Sequence, residues 1–339
     1  MSRSVGIVQV VLVSLLLVLA SIDAGSAAKG VNSKISTEDY IRRYKINSER
    51  YRVTTSDGYE LAAFRLRPTV PIRGVALLQH GIRQSSAGWL AQYANLPAQL
   101  LDIGIEVWLG DSRASPESLG NRTADPWAFS FHEIGMYDLP ALIDAALQIS
   151  KFKRIHLVGY SEGSTAALVL LSELPSYNAK IASLNLIAPA AYMANSDQRL
   201  AAELYTNVRN FLPFLLPKLN AGVQAIGSTP KQLDHYRQLI LSGCFRQYDY
   251  GTAKNVQRYG TQTPPEYQLA KISTSPVILH YGGLDGVVSP RDVQRLGQQL
   301  SRTTKVRLVS YEQFAHTDFL GPKKATVEVY PKIVAIIGK

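Results

Sequence analysis

The stretch Arg154 to Leu171 reads R-I-H-L-V-G-Y-S-E-G-S-T-A-A-L-V-L-L. It opens on an apolar, β-branched run (Ile155, Leu157, Val158) and passes through Gly159-Tyr160-Ser161-Glu162-Gly163. Small and aliphatic residues at helical spacing then begin with Ala166 and Leu168. That order is strand, sharp turn, helix. A G-x-S-x-G run at such a junction has the form of a nucleophile elbow: only glycine fits two residues either side of the serine, and Ser161 is lifted above the sheet edge. The bland alternative is a Gly/Ser turn capping a helix, and the flanking strand and helix weigh against it. A serine so placed needs a base, an acid and an oxyanion hole from the rest of the chain.

Working toward the N-terminus, strands and helices alternate. A helix is expected from Tyr137 to Ile149, a strand from Ile105 to Leu109, a helix through Leu96 to Leu101 and a strand at Gly74 to Gly81. The apolar run Val75-Ala76-Leu77-Leu78 reads as a strand buried on both faces, as in a parallel sheet. Before it, Tyr51 to Leu66 reads as a hairpin turning at Asp57-Gly58. Toward the C-terminus a strand is expected at Ile181 to Ile187. The rhythm then breaks at Ala188-Pro189-Ala190 into helical segments (Gln198 to Phe211, Lys231 to Leu241), and resumes with the strand Pro276 to Tyr281. A helix from Pro290 to Leu300, a strand from Lys305 to Val309 and a helix from Thr326 to Ile337 complete it. The fold class is therefore α/β, a mostly parallel, doubly wound sheet with a helical insertion.

A serine hydroxyl becomes a competent nucleophile when a base takes its proton, and the base needs a carboxylate to fix its tautomer. The expected chain order is Ser, acid, His. Asp285, in Gly282-Gly283-Leu284-Asp285-Gly286, follows one late strand, and His316, in Phe314-Ala315-His316-Thr317-Asp318-Phe319, follows the last. Active sites of open α/β sheets lie at these carboxyl ends. Asp111 and Asp318 are rival acids. His80, His132, His156, His235 and His280 are weaker bases, and the place of His80 before Gly81 suits a turn that shapes the oxyanion hole. That hole is expected from the backbone N–H groups of Ile82 and Glu162.

The ends and the composition set further bounds. Residues 1–28 combine Arg3, an apolar run from Val10 to Ala20 and small residues Ala24 to Ala28, the form of a secretory signal peptide. The run is shorter than the ~20 residues of a membrane span, so no transmembrane segment is expected in the mature chain. Composition is ordinary for a globular protein, 46% hydrophobic and 18% charged, which argues against extended disorder. The net charge of +10 comes without a Lys/Arg block or a nucleic-acid motif, so no nucleic acid is expected as partner. A single cysteine, Cys244, excludes an internal disulfide. No metal-ligand spacing occurs, and neither metal nor cofactor is expected. Asn121-Arg122-Thr123 is an N-glycosylation sequon.

Six runs carry a resemblance: Leu77 to Gly81, Val107 to Arg113, Phe129 to Pro140 (F-S-F-H-E-I-G-M-Y-D-L-P), the elbow, Phe245 to Gly251, and His316 to Phe319. From about Ile41 onward the chain resembles the acid lipases, the gastric and lysosomal family with many insect members. The resemblance implies an α/β-hydrolase that cleaves ester bonds of neutral lipids, with Ser161, Asp285 and His316 as triad and Ile82 and Glu162 as oxyanion hole. It implies a core in two parts, residues 29–189 and 271–339, around a helical cap over 190–270. Three departures stand out. Glu162 replaces the usual glutamine, and its charge is expected to lower activity near neutral pH. The segment Ala114 to Ser118 replaces a Gly-Asn-rich one. The cap is several turns short and lacks the family's cysteines, which leaves the ester site more open.

The expected function is thus a secreted or lysosomal serine ester hydrolase acting on a lipid ester at a lipid–water interface. Two alternatives stay open on sequence: a non-catalytic lipid carrier on the same fold, and the same triad turned to a thioester or peptide bond.

Overall fold

The computed structural model describes residues 35–91, 95–118, 128–197, 227–321 and 323–339. The expected signal peptide, Asn121 and the expected helix from Gln198 to Phe211 lie outside them. Eight strands form one sheet in the order β1-β2-β4-β3-β5-β6-β7-β8. They are β1 Ser48–Thr54, β2 Glu60–Leu66, β3 Gly74–Gln79, β4 Ile105–Gly110, β5 Ile155–Tyr160, β6 Ile181–Ile187, β7 Val277–Gly282 and β8 Val306–Tyr311. β1 and β2 pair antiparallel around the Asp57-Gly58 turn, β2 pairs antiparallel with β4, and every later pairing is parallel. The hairpin and the parallel sheet thus stand where the sequence places them.

Side-chain alternation along the strands explains the two covering layers. Val75, Leu77, Leu157, Leu184 and Leu186 point into one apolar cluster, while Ala76, Leu78, Val158 and Ile187 point into the other. The first cluster is closed by helices at Leu139–Ser150, Glu162–Glu173, Pro230–Ser242 and Pro290–Leu300. The second is closed by helices at Thr37–Tyr44, Leu96–Asp102 and Tyr330–Ile337. Every residue of the Glu162–Glu173 helix up to Ser172 is buried, because sheet, neighbouring helices and the 230–242 helix enclose it on all sides. Its sequence is accordingly apolar or small nearly all round rather than amphipathic.

Two helices begin with an irregular turn. Ile134–Asp138 precedes the 139–150 helix and Ala325–Val329 precedes the 330–337 helix, each a single wide π turn, a form often found beside functional sites. The expected starts at Tyr137 and Thr326 fall within these turns. Over 190–270, where the sequence raises the expectation of a cap, the described residues hold the Pro230–Ser242 helix, labelled the cap helix after that expectation, a second helix at Thr252–Tyr259, and one isolated bridge between Arg246 and Glu266.

Candidate active site

β5 runs into the elbow with no intervening loop. Ser161 has φ 50° and ψ −114°, a conformation that L-residues rarely adopt and that costs on the order of 1–3 kcal/mol. The rest of the turn over-determines it. The Ser161 N–H donates to Ile187 O at 2.8 Å at the end of β6, and Ser161 O accepts from Ser164 N–H at 2.9 Å. A Cβ on Gly159 would lie 2.6 Å from the Ser164 nitrogen, and one on Gly163 would lie 2.4 Å from Gln79 O. Both are backbone collisions, so the two glycines of the motif are there for lack of space.

The parallel strands deliver the remaining groups to the same edge. His316, beyond β8, places Nε2 3.0 Å from Ser161 Oγ. Its Nδ1 lies 2.8 Å from Asp285 Oδ2, beyond β7. A carboxylate only accepts, so Nδ1 carries the proton and Nε2 is left to accept from the serine hydroxyl. Asp285 is fixed by its other oxygen, which accepts the N–H groups of Val287 at 2.9 Å and Val288 at 2.8 Å. The two loops are sewn together by the backbone: Gly283 N–H donates to Tyr311 O at 2.9 Å and Leu284 N–H to Phe314 O at 3.0 Å. A further bond comes from the elbow itself, where the Tyr160 hydroxyl donates to His316 O at 2.8 Å.

Beyond β3, His80 Nδ1–H donates to Gly81 O at 2.7 Å, and its Nε2 accepts Ser112 N–H at 3.1 Å. This imidazole is a buried brace for the turn that carries Ile82. Neither the Ile82 nor the Glu162 backbone N–H has a hydrogen-bond partner among the described residues. Two free donors flanking the serine that His316 contacts have the make-up of an oxyanion hole. The Glu162 side chain is buried and turned to the cap helix, where Gln232 Nε2 donates to Oε1 at 3.0 Å and Oε2 at 3.1 Å. Burial pushes this carboxyl up to about 8, against the lowering pull of the Gln232 and Tyr236 hydrogen bonds.

The rival groups have other partners. Asp111 accepts from Ser86 N–H, Ser86 Oγ and Ser115 Oγ at 2.9, 2.5 and 2.6 Å. Asp318 accepts Ala315 N–H at 2.8 Å at the start of the turn that holds His316. Burial holds His156 down to about 4 and His235 and His280 down to about 3, so all three are neutral packing residues. His132 bonds the Tyr267 hydroxyl at 2.9 Å. The structure therefore brings Ser161, His316, Asp285, Ile82 and Glu162 to one edge and leaves the other candidates apart.

A family model described as serine aminopeptidase, S33 matches residues 70–322, and one described as partial alpha/beta-hydrolase lipase region matches residues 37–93. Lipase 1 of Drosophila melanogaster is 33% identical over 364 aligned positions, which span 91% of this chain and 81% of the relative. The chain belongs to the acid lipase family of α/β-hydrolases. Gastric triacylglycerol lipase of Rattus norvegicus is 29% identical across 86% of this chain and 88% of its own. Among solved structures, an esterase of Pyrococcus furiosus superposes with a TM-score of 0.57 at 17% identity, covering 91% of this chain and 94% of that one. An esterase from Exiguobacterium antarcticum does so with a TM-score of 0.57 at 15% identity, over 86% and 100%. At such identities the likeness speaks to fold alone.

In this acid lipase the F-S-F-H-E-I-G-M-Y-D-L-P run is the joint between the sheet-covering helices and the 230–242 helix. Ser130 and Glu133 form a reciprocal capping box, and Glu133 accepts from Lys231 Nζ of the cap helix at 2.9 Å. Burial would raise the Glu133 carboxyl, but Lys231 and His132 win and hold it at about 2. Phe131 stacks on His235 with ring centres 3.9 Å apart. Asp138 receives Arg113 through Nε, Nη2 and the backbone N–H, while the same guanidinium grips Asp57 of the first hairpin with Nη1 at 2.8 Å and Nη2 at 3.0 Å. Sequence reasoning missed this buried ion cluster and the roles of Tyr160 and Gln232. The Arg113 and Asp138 positions carried no chemical pattern, only membership of family runs. Gln232 was marked by the capping box Thr229-Pro230-Lys231-Gln232, which announces a helix start and says nothing of a tertiary contact.

Proposed function

We propose that this acid lipase hydrolyses carboxylic esters of neutral lipids through Ser161, His316 and Asp285. Ser161 Oγ attacks the ester carbonyl as its proton passes to His316 Nε2, and Asp285 stabilises the imidazolium that forms. The negative oxygen of the tetrahedral intermediate is received by the N–H groups of Ile82 and Glu162. Collapse expels the alcohol, which takes the proton from His316 and leaves an acyl-serine. Water then repeats the sequence, releasing the fatty acid and restoring Ser161. The observation that carries the reading is the continuous chain from Ser161 Oγ through His316 to Asp285, at 3.0 and 2.8 Å, on a backbone strained to present the serine.

The lipid-ester class is supported by relatives named Lipase 1, Lipase 3 and gastric triacylglycerol lipase. Residues 29–189 and 271–339 form the catalytic core in this reading, and 190–270 the cap that shapes the acyl pocket. The leader over 1–28 directs the chain into the secretory route, to the exterior or the lysosome, with Asn121 glycosylated on the way. Among the described residues no helix is long and apolar enough to cross a membrane. In this reading the lipid ester is met at a lipid–water interface. The test is a panel of glycerol and sterol esters of increasing acyl length assayed with wild type and His316→Ala. Hydrolysis that His316→Ala reduces by at least about a thousandfold supports the reading. Tight binding of these esters without turnover by wild type contradicts it and assigns the fold to a carrier.

A further inference from the structure

Glu162 stands between the two parts of the molecule that must cooperate. Its backbone N–H opens the helix behind the nucleophile, and its side chain ends on the cap helix. Gln232 is already committed there: its Oε1 accepts Thr229 N–H at 2.8 Å, so its amide is oriented with the NH2 group toward Glu162. Thr229 Oγ1 in turn donates to Phe129 O at 2.7 Å, which ties this end of the cap helix to the core. One turn on, Tyr236 donates to Thr165 Oγ1 at 3.3 Å, one turn along the nucleophile helix. The cap helix thus docks on the nucleophile helix through a polar pair at each of two turns.

The charges around Glu162 decide which form it takes. Among the described residues it has no cation within ion-pair distance. Lys231, next to Gln232, is turned to Glu133 Oε1 and Ala128 O. His235, on the cap helix, is occupied by Ser130 Oγ and Arg246 O. Asp138, from the turn packed alongside, adds a like charge whose own counter-ion is Arg113, and Asp285 and His316 stand beyond Ser161. A buried carboxylate with the Gln232 amide as donor, the Tyr236 proton being given to Thr165, and no cation is poorly compensated, so burial favours the acid form.

We propose that Glu162 is a positioning residue that works as a proton-dependent clasp: in its neutral form it joins nucleophile helix to cap helix, and loss of its proton both loosens that joint and puts a negative charge on the residue whose N–H receives the developing oxyanion. The clasp rests on the ester-hydrolase reading given above. It places the loss of activity on the alkaline side, since burial keeps the carboxyl neutral up to about pH 8. The sequence expectation of a penalty near neutral pH is thereby moved upward.

The experiment measures kcat and kcat/KM on a soluble short-chain ester from about pH 5 to about pH 10 for wild type, Glu162→Gln and Tyr236→Phe. In wild type kcat/KM is expected to fall about tenfold or more between pH 7 and the alkaline end, with a flat limb in Glu162→Gln. The Tyr236 hydroxyl donates to Thr165 in the structure and can turn its proton to the carboxylate once that is ionised, so Tyr236→Phe is expected to move the wild-type limb to higher pH. The same alkaline limb in wild type and Glu162→Gln overturns the clasp. Infrared spectra at pH 7 test it without reference to turnover: a protonated-carboxyl stretch lost in Glu162→Gln supports it, and absence of that band in wild type overturns it. A wild type inactive on every ester at every pH defeats the ester-hydrolase reading, and the infrared result still decides whether Glu162 is neutral.

Discussion

The hydroxyl of Tyr160, the residue immediately before Ser161, donates to the backbone carbonyl of His316 at 2.8 Å. The elbow therefore grips the loop that carries His316, the base of the proposed mechanism, with the two rings 5.5 Å apart. The grip orients the base through backbone and leaves both imidazole nitrogens for Ser161 and Asp285.

Tyr160→Phe removes that hydroxyl and with it the tie between the elbow and the His316 loop. The expected cost is about 1–2 kcal/mol of stability and roughly a tenfold loss of kcat/KM from a less well-placed imidazole. Denaturant unfolding and ester kinetics check it together. A variant with wild-type kcat/KM shows that the loop holds His316 without help from the elbow.

The tightness of the elbow is testable by contrast between two glycines. Gly163→Ala forces a Cβ to within 2.4 Å of Gln79 O and 2.8 Å of His80 O, so the base of the oxyanion turn must shift. Gly88→Ala meets nothing closer than Leu320 Cδ1 at 3.8 Å. Gly163→Ala is expected to lose at least about 3 kcal/mol, and Gly88→Ala less than about 1 kcal/mol. Equal midpoints in urea contradict the close approach.

The buried Glu162 carboxyl also makes stability depend on pH. Its folded value of about 8 lies above the ordinary 4.5, so between those limits the folded chain holds a proton that the unfolded chain has lost. Stability contributed by this group is whole below pH 4.5 and falls as pH rises to about 8, by up to about 5 kcal/mol in all. Glu162→Gln is expected to flatten this slope. Thermal unfolding of both proteins across the window measures it, and identical slopes contradict the assignment.

Much of this was legible in the sequence, for reasons that differ by residue. Val75 to Leu78 and Ile155 to Val158 announce strands because burial on both faces demands unbroken apolar runs. Gly159 and Gly163 announce the elbow because backbone leaves no room for a Cβ. Asp285 and His316 followed from chain order at strand ends. What escaped were contacts between residues far apart in sequence with no pattern of their own. Arg113 meets Asp57 and Asp138, Tyr160 meets the His316 carbonyl, and Gln232 meets Glu162. The π turn at Ile134–Asp138 escaped too, since the apolar spacing continues across it.

The central claim is that His316 and Asp285 activate Ser161. Labelling of the purified protein with a fluorophosphonate tests it most directly, because that reagent marks a serine whose proton is being taken. The account predicts rapid labelling of wild type, none of Ser161→Ala, and labelling slowed by at least about a hundredfold in His316→Ala. Labelling that persists in Ser161→Ala, or wild type left unmarked from about pH 4 to about pH 8, would contradict it.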